Sequence, residues 1–218
     1  MSLIDALGVG SRELVAFVGA GGKTTTMFRL GGELRAGGHE VVLTTTTRMA
    51  ATQRHPDLVV CPDPLDSDKV AGPGLGWIED TYRSRRFSHV LVEADGARGR
   101  NVKAPAPLEP VLPPSTSLVV CLIGANALDR VIEDQAHRPL RVAAAAGCSP
   151  YDRLTPERAA RMLASDLGGR KGVSDGNRFI VAVTQVTDRN AGSVAELRRM
   201  LRAEFDVASV LVPPLPAA

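Results

Sequence analysis

Short apolar runs alternate with helix-length amphipathic segments along this chain. ELVAFVG (13–19), EVVLTTTT (40–47), HVLVEAD (89–95), SLVVCLIG (117–124) and FIVAVTQV (179–186) are dense in apolar and β-branched residues and predict strands. After the first of these, TTTMFRLGGELRAGG (24–38) puts Met27, Leu30 and Leu34 on one helical face and stops at Gly37-Gly38. Thr155 before Pro156 predicts a capped helix start, and Ser193 with Glu196 reads as a capping box ahead of Leu197, Leu201 and Phe205. Continuously apolar strands separated by helices predict an α/β fold, a three-layer sandwich whose mainly parallel central sheet is covered on both faces. Ligands of such sheets bind at the carboxyl ends of the strands.

Length and composition narrow this picture. A chain of 218 residues suits one domain spanning 1–218, interrupted by a proline-rich excursion at about 97–116 with five prolines. No run approaches the roughly 18 apolar residues of a membrane helix, and the N-terminal MSLIDALGVG lacks a basic leader, so the cytoplasm is the expected compartment. Three scattered cysteines support neither a disulfide framework nor a zinc knuckle. A net charge of +2 and 4% aromatic residues give no reason to expect a nucleic-acid or membrane partner, and RSRR at 83–86 reads as a solvated helix face.

The chemistry concentrates at three strand ends. Gly19-Ala20-Gly21-Gly22-Lys23-Thr24, with Thr25 beside it, joins the first strand to the first long helix, the arrangement that turns several N–H groups toward a phosphate chain. Lys23 is expected to reach the terminal phosphates and the Thr24 hydroxyl to ligate Mg²⁺. The commonest phosphate-loop pattern wants glycine at position 17, where this chain has Phe17, while a dinucleotide G-x-G-x-x-G is spoiled by Thr24 at its third glycine. At the third strand's end, Glu93 and Asp95 alternate onto one side, where both can reach the same metal or position a nucleophile. Thr44 to Thr47, with Thr45 and Thr46 foremost, offer hydroxyls at the neighbouring strand end. Arg98, Arg100 and Lys103 are candidates to clamp an anionic ligand, Lys103 foremost.

SLIDALG, VAFVGAGGKTTTMFRL, VLTTTTRM, VLVEADGARGRNVKAPAPLEPVLP, VVCLIGANAL and HRP at 137–139 together resemble the selenium-dependent hydroxylase accessory proteins, a bacterial phosphate-loop family. The resemblance covers most of the first 140 residues. It implies a P-loop NTPase-like fold and a role in maturing a selenium-dependent molybdenum hydroxylase client or its cofactor, with His137 at the site. The loop is also similar to that of Mur-type amide ligases, which likewise lack the earlier glycine, so a kinase or ligase acting on a small anionic acceptor stays open. A non-catalytic nucleotide sensor or cofactor carrier is the third reading. VAVTQVTD (181–188) stands where guanine-reading proteins carry N-K-x-D; its register does not reproduce that motif, which leaves Asp188 as a possible base contact and the nucleotide as ATP or GTP.

Overall fold

The computed structural model describes residues 2–53, 55–63 and 65–213. A short helix α1 (Leu3–Leu7), N-capped by Ser2, leads into β1 (Glu13–Gly19) and then α2 (Lys23–Ala36). Next come β2 (Val41–Thr45), β3 (Arg48–Ala50), β4 (Leu58–Val59), β5 (Cys61–Pro62) and β6 (Lys69–Ala71). Helix α3 (Leu75–Arg83) precedes β7 (His89–Glu93), β8 (Val102–Lys103) and β9 (Leu118–Gly124). The remaining elements are α4 (Ile132–Gln135), β10 (Ala136–His137), α5 (Pro139–Ala146), α6 (Pro156–Ala164), β11 (Arg178–Thr184), α7 (Ala191–Phe205) and β12 (Ala208–Leu211).

Seven of these strands form the main sheet in the order β12-β11-β9-β1-β7-β2-β4, with every pairing parallel. Alternation along β1 explains the layers. Val15 and Phe17 pack with α1 and α2, through Leu3, Leu7, Met27, Leu30 and Leu34. Ala16 and Val18 face α5, α6 and α7, and Leu14 meets Ile78 of α3. Each fully buried Leu or Met of α2 contributes roughly 2 kcal/mol on removal from water. The result is the α/β sandwich that the apolar pattern predicts, consistent with the P-loop NTPase-like fold that the resemblance implies. Among the described residues no helix is long and apolar enough to cross a membrane.

Several local expectations need correction. β2 ends at Thr45, because the Thr45 hydroxyl donates to Glu93 O at 2.8 Å and the backbone bends there. Helix α7 starts at Ala191 after Asn190, so Ser193 lies inside it and donates to Asp129 Oδ2 at 2.5 Å, while Glu196 pairs with Arg199. The capping box is therefore absent, whereas Thr155 does cap α6, accepting from Arg158 N–H at 3.3 Å with Pro156 in the first turn. The edge strand β12 escaped prediction: it follows α7 closely and has only four residues, too short a run to signal a strand by itself.

β3, β6 and β5 make a separate antiparallel sheet beyond the end of β2. Met49 and Val70 anchor it in the core, and Gly72 lies so close to β2 that a Cβ there would fall 1.6 Å from Thr45 O. This flap roofs one end of the sheet.

Candidate functional site

At the carboxyl end of β1 the backbone turns through Gly19, Gly21 and Gly22, with φ of 87°, 86° and 118°. These values suit glycine alone, and at Gly21 space forbids anything else: a Cβ would lie 2.3 Å from Gly124 N. The turn is tied down by its first three amides. Gly19 N–H donates to Asp95 Oδ2 at 3.1 Å, Ala20 N–H to Leu122 O and Gly21 N–H to Arg100 O, each at 3.0 Å. Helix α2 then closes with Thr26 N–H to Gly22 O at 3.0 Å, and no side chain caps Gly22. The amides of Gly22, Lys23, Thr24 and Thr25 are thus the orphan donors of the first turn, at the positive end of the helix dipole.

Those four residues line a cavity of about 630 Å³, the size of a small-molecule pocket. Glu93, Gly96 to Asn101, Thr47, Arg48, Met49, Lys69 and Gln185 complete its wall. Lys23, with 4% of its surface exposed, donates to Gly19 O at 2.7 Å and stands 3.2 Å from Asp95 Oδ1 and 3.8 Å from Glu93 Oε1. Thr24 Oγ1 donates to Glu93 Oε2 at 2.7 Å. Burial pushes the Glu93 carboxyl above its usual range, opposed by the Lys23 charge and the Thr24 hydrogen bond. The two oxygens from Thr24 and Glu93 are the donors best placed to hold a small hard cation.

The two acids expected to act alike are separated by the structure. Glu93 faces the cavity, but Asp95 is 1% exposed and committed to Gly19 N–H, Lys23 and Lys103. Lys103, expected at the ligand, stands behind Asp95 with none of its side chain exposed, 3.1 Å from Asp95 Oδ2 and 2.6 Å from both Glu109 Oε2 and Gly96 O. Glu109 accepts a fork from Arg138 at 2.7 and 2.9 Å. Burial alone would raise the Glu109 carboxyl, but Arg138 and Lys103 together hold it at about 2. Charges of alternating sign therefore run from the loop lysine to Arg138 at the start of α5.

Other expected contacts fall elsewhere. Thr45 is fully buried, and Thr46 donates to Val111 O at 2.9 Å, so it is Thr47 of the threonine run that reaches the cavity. Asp188 is exposed and off the cavity wall, whereas Gln185, at φ 57°, is on it. His137 sits in β10 opposite Lys103, away from the cavity lining. Arg98 does line the cavity, in the left-handed region at φ 50°. Arg48, Lys69 and Gln185 were missed because they lie on the flap and a late loop, distant in sequence from the glycine turn. The non-adjacent cations could not be grouped without the fold. Among the described residues no cluster of three His, Cys, Asp or Glu forms a metal site.

Comparison with known proteins agrees with the extent of these elements. The family model described as YqeC protein matches residues 15–140, from β1 and the glycine turn to the start of α5. A relative from Escherichia coli (strain K12), named uncharacterized protein YqeC, is 29% identical over 232 aligned positions that take in 96% of this chain and 90% of its own. The match spans the glycine turn, the Glu93–Asp95 strand end and the Lys103–Glu109–Arg138 ion pairs, and on it the chain belongs to the YqeC protein family.

Proposed function

We propose that this protein binds a nucleoside triphosphate with Mg²⁺ and hydrolyses or transfers its terminal phosphoryl group, in the service of selenium-dependent molybdenum hydroxylase maturation. The observation that carries the nucleotide reading is the first turn of α2. Four orphan amides, the Lys23 ammonium and the Thr24 hydroxyl all border one cavity at the carboxyl end of a parallel sheet. The maturation role rests on the resemblance of the quoted motifs to the accessory family.

Mg²⁺ fits the donor set. It prefers oxygen, keeps several waters and needs only one or two protein ligands besides phosphate, which Thr24 Oγ1 and Glu93 can supply. When bound, the ion neutralises charge on the terminal phosphates. The chain's own groups do the rest. Lys23 gives up its bond to Gly19 O and stabilises charge developing on the transferred group, and the α2 amides hold the phosphate oxygens. Asp95 holds both Gly19 N–H and Lys23, and so positions the loop rather than the metal.

A thermal-shift panel of ATP, GTP and CTP with and without Mg²⁺ tests the reading. Ligand at 100 times its Kd adds about 2.7 kcal/mol, or roughly 5–10 °C in Tm for a chain of this size. The expected result is a Mg²⁺-dependent shift with at least one nucleotide, and phosphate release that Lys23→Ala abolishes. No shift with any of the three overturns it. A phosphotransferase is favoured over simple hydrolysis by the extra basic wall beyond Glu93.

A further inference from the structure

The cavity is lined well beyond the glycine turn, and the sheet order gives that lining a direction. Gln185 follows β11, the loop follows β1, Glu93 ends β7, and Thr47 and Arg48 follow β2, so the lining runs across the sheet in that sequence. If the cation sits between Thr24 and Glu93, the terminal phosphate points toward β7 and β2 and the nucleoside toward β11. The far end, past Glu93, is walled by Arg48, Met49 and Lys69 of the flap and by Arg98.

Lys69 Nζ is tied to Asp66 Oδ2 at 2.5 Å, which leaves the two arginines as the cations with donors to spare. Arg48 Nε meets Asp63 Oδ2 at 2.8 Å in an ion pair without hydrogen-bond geometry, and that carboxylate has no side-chain exposure, so one edge of the guanidinium is held by charge alone; its two Nη groups have no partner among the described residues. Asp63 Oδ1 is in turn fixed by Leu65 N–H at 2.9 Å. Arg98 has no acidic partner among the described residues and keeps a left-handed backbone that a non-glycine residue adopts at a cost. The flap cannot drift off, because Gly72 is in contact with Thr45 O and Met49 and Val70 are buried.

We propose that this end of the cavity is a second binding site, for a small anionic molecule carrying a carboxylate or phosphate group, gripped by Arg48 and Arg98, beside the Lys69–Asp66 pair, against the terminal phosphate. The inference rests on the nucleotide reading above. A guanidinium with one edge held presents the other for two parallel hydrogen bonds to a planar or tetrahedral anion, which a solvated lysine cluster would not do.

Calorimetry on the full chain tests it. The protein is first saturated with Mg²⁺ and a non-hydrolysable ATP analogue, which occupies the loop, and then titrated separately with inorganic phosphate and with succinate. A saturable second event with phosphate marks a phosphorylated ligand; one with succinate marks a carboxylate. Arg48→Gln is expected to weaken that event at least tenfold while binding the analogue as the parent does. Arg98→Gln, at an exposed position without an acidic partner among the described residues, is expected to weaken it likewise without touching the Asp63 contact. Loading without a second event, or an event unchanged in both variants, overturns this inference alone. Failure of the analogue to bind overturns the nucleotide reading and this inference with it.

Discussion

Lys103 Nζ lies 3.1 Å from Asp95 Oδ2, and neither side chain exposes more than 2% of its surface. A buried ammonium and a buried carboxylate compensate each other's charge, and losing one strands the other in a medium that solvates charge poorly. Lys103→Met is therefore expected to lower unfolding stability by about 3 kcal/mol, measured by urea denaturation. An unchanged midpoint would show that Asp95 is satisfied by Lys23 alone.

Phe17 occupies the place of a pattern glycine, yet it is fully buried beneath α2 with Met27 and Leu30 and is in register with Glu93 and Val120. Restoring the pattern by Phe17→Gly should cost about 5 kcal/mol through the cavity it leaves. Phe17→Leu should cost roughly 1–2 kcal/mol. Thermal denaturation of the two variants separates a packing role from a ligand role.

Two glycines predict opposite signs. Gly21→Ala meets both a positive φ and the Gly124 backbone, so it should destabilise by about 2 kcal/mol or more and remove the nucleotide-induced shift. Gly32→Ala, exposed within α2 with nothing near its Cβ, should stabilise by about 0.5–1 kcal/mol. Melting curves of the pair give the comparison within one helix and its entry turn.

Acid stability should depend on Glu109. Its folded carboxyl lies at about 2, below the unfolded value near 4.5, so its contribution is fully present above pH 4.5 and is lost as the pH falls toward 2. Because Glu109 is partly solvated, that contribution is about 2 kcal/mol or less. Glu93, raised by burial, works with the opposite sign and at higher pH. The difference in stability between the parent chain and Glu109→Gln should therefore shrink between pH 4.5 and 2. A difference that is constant with pH contradicts the assignment.

The three thiols should react very unequally. Burial pushes Cys121 up to about 12 beside Gly19, while Cys61 is exposed on the flap and Cys148 is half-buried and raised in the same direction as Cys121. A chromogenic disulfide reagent at pH 8 should label Cys61 rapidly in the folded chain and leave Cys121 unmodified until denaturant is added. Fast labelling of two or more thiols in the native protein would contradict this packing.

The strands and the glycine turn were legible because their signals are local: uninterrupted apolar runs, and glycines next to a lysine and a threonine at a strand-to-helix junction. Glu93 and Asp95 were also found from alternation, but alternation cannot say which of two same-side acids lies at the surface of a cavity. That is decided by Lys103, eight residues on, folding back under Asp95. Arg48 and Lys69 were out of reach for a related reason, since only the flap brings residues after β2 to face Arg98. The threonine run misled because hydroxyls at a sheet's end are as easily spent on neighbouring carbonyls as on a ligand, as Thr45 and Thr46 are.

The ion pairs from Lys23 through Asp95, Lys103 and Glu109 to Arg138 also limit how the sequence can vary. Removing any interior member leaves a neighbour with uncompensated charge in a place where water cannot help, so single replacements there are disfavoured even far from the cavity. Relatives that differ at one of these positions should differ at its partner too, and Lys103 with Glu109 should behave in descent as a single two-residue character.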